Sequence, residues 1–131
     1  MIEAGLTQLV QADSAVHAIC PVGGFLAQLP KDYTLPTWSY LMASDMPTYS
    51  FEGPNSLRSR RIQIDCYGSD GKQVIQLADA IDAVLNGYRG TLPDGDSIVV
   101  PGCFRSNLID FPLDQNRSYR RMLEYVIWFY Q

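Results

Sequence analysis

Histidine is nearly absent from this chain: His17 is the one such residue in 131. Any Ser-His-Asp or Cys-His arrangement would have to use it, and a metal site needs more ligands than one imidazole supplies. Cysteine is sparse as well. Cys20, Cys66 and Cys103 lie far apart and are odd in number, which fits neither a disulfide framework nor a zinc site. They are expected to be reduced, buried thiols that pack as small hydrophobes. An excess of positive charge is missing too: 10 Lys+Arg stand against 14 Asp+Glu, for a net charge of −4 and a pI near 4.7. That balance argues against a protein whose main task is to grip nucleic acid, because such affinity comes chiefly from neutralising phosphates. No apolar run reaches the roughly 18 residues of a membrane span. The N-terminal "MIEAGLTQLVQADS" is acidic and amphipathic, unlike a secretory signal. These absences point to a cytoplasmic protein with no membrane partner, no metal, no cofactor and no catalytic residues.

What is present is the composition of one folded domain, 1–131, with 47% hydrophobic residues and enough length for a modest core. Ile2, Leu6, Leu9 and Val10 recur at helical spacing over residues 2–12. The Gly/Pro-punctuated "CPVGGFLAQLPKDYTLP" has room for a short edge strand near Phe25 to Gln28. A second strand is expected over Thr37 to Asp45. From Arg60 to Tyr67 the alternation is clean, with Ile62, Ile64 and Cys66 on one side and Arg61, Gln63, Asp65 and Tyr67 on the other.

The crowding in "RIQIDCYGSDGKQVIQLADAID" invites a catalytic reading, but its residues have structural duties. Asp70 is placed as a helix N-cap, with Gln73 three residues on as in a capping box. Val74, Leu77, Ala78, Ile81 and Val84 or Leu85 form the apolar stripe of a helix that ends at Asn86-Gly87. Either Gly68 or Gly71 eases the corner. "GSDG" lacks the spacing and lysine of a phosphate loop, and Cys66 has no base nearby in sequence. His17 has Asp13 at i−4, which leaves room for a local hydrogen bond if the first helix runs that far, but it reads as a surface or helix-end histidine.

The second half reads as strands. "LPDGD" is a turn, "SIVV" is strand-like, Pro101-Gly102 reads as a further turn, and "CFRSNLIDF" follows. The last run, "YRRMLEYVIWFYQ", is apolar on both sides: Leu123, Tyr125, Ile127 and Phe129 on one, and Met122, Val126, Trp128 and Tyr130 on the other, interrupted by Glu124. A strand apolar on both faces is covered on both. Two helices cover only one face of a sheet, so the other is a candidate subunit interface. The fold class expected is α+β, a mainly antiparallel sheet of about four to five strands with two helices packed on one face.

Two more features bear on partners. Residues 46–59, "MPTYSFEGPNSLRS", read as a long mobile loop or arm carrying Tyr49 and Phe51, and loops of this length are often functional. Six of the ten basic residues sit in two clusters, Arg58, Arg60 and Arg61, then Arg117, Arg120 and Arg121. Each cluster opens an expected strand, which suggests a polarised surface for acidic neighbours or passing DNA. The candidate partner or subunit interface therefore comprises Tyr49, Phe51, Arg58, Arg60, Arg61, Arg117, Arg120, Arg121, Val126, Trp128 and Tyr130.

Taken in order, the "P-T-W-S-Y" strand after a loop, "IQIDCYGSDG" leading into a helix that ends "LNG", and the closing "R-x-x-x-x-Y-V-I-W-F" run give a pattern across nearly the whole chain. That pattern resembles the tail-completion, or tail-terminator, proteins of long-tailed bacteriophages. The resemblance lies in pattern and length rather than in an invariant signature. It implies a ring, typically of six subunits, that caps the finished tail tube, ends its polymerisation and offers a docking face to the head connector. The implied partners are further copies of the chain, the tail tube protein and the head connector or completion protein, with DNA passing through unbound. The implied place is the head-proximal end of the virion tail, assembled in the host cytoplasm. A different connector or neck protein, and a small α+β ligand-binding domain or enzyme, are the alternative readings.

Overall fold

The computed structural model describes residues 2–21, 23–27, 29, 33–50, 53–93, 95, 97–111 and 119–130, with the backbone alone for 46–50 and 53–56. The chain begins with two short helices, α1 (Ile2–Gln11) and α2 (Ser14–Ile19), where one was expected. Asp13 causes the break. Its backbone is extended and its carboxylate accepts the Ala15 and Val16 amides, at 3.1 and 3.2 Å, as the cap of α2. Asp13 therefore serves the backbone of α2 and is not held in reserve for the His17 ring.

The two-residue β1 (Phe25–Leu26) follows, then β2 (Thr37–Ser50) and β3 (Gly53–Gly68). The segment expected to be a loop, 46–59, is instead strand on both sides of its tip. β2 and β3 stay paired from Thr37↔Tyr67 out to Ser50↔Gly53, with irregularities at Met42/Ser44 and Pro47/Tyr49. Proline and glycine in the stretch suggested a loop, but an edge strand tolerates both where its outward amides have no ladder to complete. The basic run Arg58–Arg61 thus lies inside β3 rather than at its start.

The helix α3 (Gly71–Leu85) matches its sequence signals closely. Asp70 accepts the Gln73 amide at 2.8 Å, while the Gln73 side chain accepts from the Ser69 amide at 2.8 Å and so closes the cap one residue earlier than a standard box. Gly68 is the glycine the corner requires: a Cβ there would lie 2.7 Å from Val74 Cγ2 and 3.0 Å from the Val74 amide nitrogen, whereas one on Gly71 would meet nothing within 4 Å. Gly87, at φ +84°, is left-handed as expected.

The short β4 (Gly90–Thr91), β5 (Val99–Phe111) and β6 (Tyr119–Tyr130) complete the sheet, whose order is β1-β2-β3-β6-β5-β4. Every pairing is antiparallel except β1 with β2. Pro101-Gly102 is an irregularity within β5, between Val99 and Gly102, and not a turn. The architecture is α+β, with four long strands, two short ones and three helices among the described residues. Leu77, Ala78, Ile81 and Leu85 of α3, with Ile2, Leu6 and Val10 of α1, pack on Trp38, Ile62, Ile64, Leu123, Tyr125, Ile127 and Phe129 of the sheet. All three cysteines are buried.

Candidate assembly surface: an open sheet face and two free edges

Cross-strand pairing assigns each side chain to a face, since residues directly opposite in an antiparallel ladder project the same way. Leu123, Tyr125, Ile127 and Phe129 face the helices and are at most 1% exposed. The alternate residues of β6 face away. Val126 is half-buried, while Trp128 and Tyr130 are 36% and 45% exposed.

Their neighbours extend the patch onto β5. Phe104 lies opposite Val126, Ile109 opposite Met122, Phe111 opposite Arg120 and Val99 opposite Tyr130. Phe104, the most exposed of these, is 55% accessible. Leu57, Pro101, Gly102, Phe104, Trp128 and Tyr130 enclose a shallow hollow of about 270 Å³. Sequence reading found the β6 half of this surface and missed the β5 half. The cause is a register shift between Arg105 and Asn107. It changes the outward parity from even at Phe104 to odd at Ile109 and Phe111, so no single alternation runs through "CFRSNLIDF".

The arginines divide between the two faces. On the open face Arg61 pairs with Glu124 at 3.3 Å, and Arg120 pairs with Asp65 at 2.9 Å while its guanidinium lies 4.3 Å from the Phe111 ring centroid. On the helix side Arg60 reaches Glu3 of α1 at 3.0 Å and Asp45 at 3.4 Å, Arg58 also pairs with Asp45, and both guanidinium groups lie over Phe129. Arg121, also on that side, holds Asp110 through two bonds of 2.6 and 3.1 Å. Each of these five has an acidic partner, so the open face carries two arginines against Asp65 and Glu124 and is electrically balanced. Tyr49 pairs with Pro54 near the hairpin tip. Phe51 and Arg117 lie outside the described residues.

The nucleophile candidates are sequestered. Burial pushes the Cys103 thiol up to about 12, and burial followed by the charge of Asp65 raises Cys66 strongly, so both stay protonated near neutrality. Tyr125 is likewise raised, by burial and then by donating a 2.7 Å hydrogen bond to Asp82 of α3. His17 is exposed on α2. Among the described residues, no group of three or more His, Cys, Asp or Glu is placed to hold a metal, and no helix is long and apolar enough to cross a membrane.

Fold and surface together define a class: an α+β protein whose mostly antiparallel sheet is covered by helices on one face and, among the described residues, exposes an apolar patch across β5 and β6 on the other. No protein-family model matches the sequence, and no curated protein matches it either. Among solved structures, the chain is similar to a chain of the virion of a native gene transfer agent particle, with a TM-score of 0.74 and 13% identity over 99% of this chain and 95% of that one. At that identity the likeness is one of fold, and it spans both chains almost from end to end.

Proposed function

We propose that this chain is a structural virion protein, of a phage or of a phage-derived particle, which assembles as a ring, caps the tail tube, ends its polymerisation and joins the tail to the head connector. The observation that carries this reading is the near full-length likeness in fold to a chain of a gene transfer agent virion. The sequence pattern supports the tail-terminating role, and the open apolar face supports assembly. Ring closure needs two different complementary surfaces on each subunit. One sheet face left uncovered by the chain's own helices is a reasonable start.

The balanced charge of that face suits a protein–protein contact better than a nucleic-acid one. DNA passing through such a ring needs clearance rather than affinity. Nothing in the described residues assembles a catalytic group, and the proposed role requires none.

Mass by light scattering across concentration, with negative-stain imaging of the same sample and of tail tubes mixed with the protein, tests the reading. Closed rings of uniform size, and tubes that stop growing once capped, are expected. A strict monomer even in the presence of tubes would overturn it. Capture of a connector with no affinity for tubes would instead favour a neck protein of the same particle.

A further inference from the structure

Two strands leave long outer edges without a neighbour among the described residues. β1 covers β2 only at its start, through Phe25↔Ser39 and Leu26↔Tyr40 and the Ala27 amide donating to the Tyr40 carbonyl. Residues 44–50 of β2 have no strand outside them. β4 covers β5 only at Val99 and Val100. The Gly87 amide then donates to the Cys103 carbonyl, and Asn86 Oδ1 accepts the Arg105 amide at 3.1 Å. Beyond these, residues 106–111 run free, and the Leu108 amide turns to its own neighbour, Asn107 Oδ1, at 2.9 Å.

An open edge is a template for another strand unless charge, proline or a cover blunts it. The β5 edge is weakly guarded. Leu108, Ile109 and Phe111 are 36%, 39% and 37% exposed, and the one acidic residue among them, Asp110, is held by Arg121.

We infer that copies of this chain join edge to edge, residues 106–111 of β5 in one copy pairing with residues 44–50 of β2 in the next, so that the sheet runs on from copy to copy. The inference rests on the assembly proposed above; it names a second copy as the partner and places the contact at the edges. Strand direction supports it. β2, β3, β6 and β5 alternate in direction across the sheet, so a β2 laid beside β5 continues the alternation and forms an antiparallel pair. The contact is heterologous and uses both edges, whereas β5 against β5 would stop at a dimer and leave β2 open.

The two free stretches also sit at opposite ends of the sheet. β5 106–111 lies level with the start of β6, and β2 44–50 lies level with its end. Neighbouring copies are therefore offset along the strands, as a closed, tilted barrel of strands requires. Edge pairing would merge the open faces into one continuous wall.

The test uses the full chain. Ser44→Cys combined with Phe111→Cys, and separately with Ile109→Cys to sample a second register, places thiols on the same face of the two edges, while the native cysteines are buried. Mild oxidation is expected to give a ladder of covalent multiples up to the ring in at least one double variant, and no ladder in any single variant. Leu108→Pro is expected to leave the circular dichroism of the monomer unchanged and to raise the concentration needed for assembly at least tenfold, with Leu108→Ala as the control that assembles normally. Rings of normal mass with no ladder in either double variant would overturn the edge contact and leave the ring reading standing. A covalent dimer of the single Ile109→Cys variant would also overturn it, in favour of β5 against β5. A wild-type chain that stays monomeric with and without tubes would remove the ring itself.

Discussion

Tyr125 shows how one buried polar group ties the layers together. Its ring lies in the core and its hydroxyl donates to Asp82 at 2.7 Å, so removing the hydroxyl leaves a part-buried carboxylate short of a donor. Tyr125→Phe is expected to lower unfolding free energy by about 2 kcal/mol, read from urea titrations. The buried thiols make a second prediction at this scale. Cys66 and Cys103 have folded values above those of the unfolded chain. The stability they contribute is thus complete below the ordinary thiol value of about 8.5 and is lost as pH rises from there towards the folded values. Unfolding free energy should be level from pH 7 to 8 and fall above about pH 9; constant stability up to pH 10.5 would contradict this. At pH 7.5 a thiol reagent should label the native protein slowly and all three cysteines once it is denatured.

At the scale of elements, the two glycines around the α3 corner should respond with opposite sign. Gly68→Ala forces a Cβ against Val74, including its backbone nitrogen, and is expected to cost about 1–3 kcal/mol. Gly71→Ala meets open space at the start of a helix and is expected to add about 0.5–1 kcal/mol through the unfolded chain. Thermal unfolding of the two variants separates them. The β2–β3 hairpin is the other element with a distinct role. β6 pairs with β3 only as far as Leu57↔Tyr130, so the tip overhangs the rest of the sheet as an arm. Replacing residues 48–57 by Asn-Gly closes the hairpin at the Pro47↔Arg58 pair. That change should alter monomer stability by less than about 1 kcal/mol while weakening assembly, as expected of an arm that meets a partner.

At the scale of the whole molecule, one sheet face belongs to the core, while on the other an apolar patch across β5 and β6 is exposed. Trp128 lies on the second, so Trp128→Asp is expected to leave the monomer's secondary structure intact and stability within about 1 kcal/mol, yet to weaken assembly. Loss of secondary structure in that variant would show Trp128 to be ordinary core. Because the open face is electrically balanced, with Arg61 and Arg120 answered by Glu124 and Asp65, assembly should persist in 0.5 M salt, a concentration at which surface charges are strongly screened. Dissociation on raising salt would mark charge, not apolar contact, as the main attraction.

How much of this was written in the chain differs by element. Short-range signals were legible: the Asp70 cap, the stripe of α3, the Gly87 stop and the alternation of Arg60 to Tyr67 each involve neighbours within one or two turns. The two apolar sides of β6 were legible for the same reason, and with them the prospect of an uncovered face. What lay hidden depends on pairing across the sheet. The strand character of 46–59 comes from β2 and β3 supporting each other, which outweighs local turn propensity. The β5 half of the open face was concealed by a register shift that no local alternation records. The arginines read as one basic surface because sequence shows charge without direction; only the folded strands send Arg58, Arg60 and Arg121 to the helix side and Arg61 and Arg120 to the other, each beside a carboxylate. Local composition determined the elements, and long-range registry decided which of their side chains were left facing out.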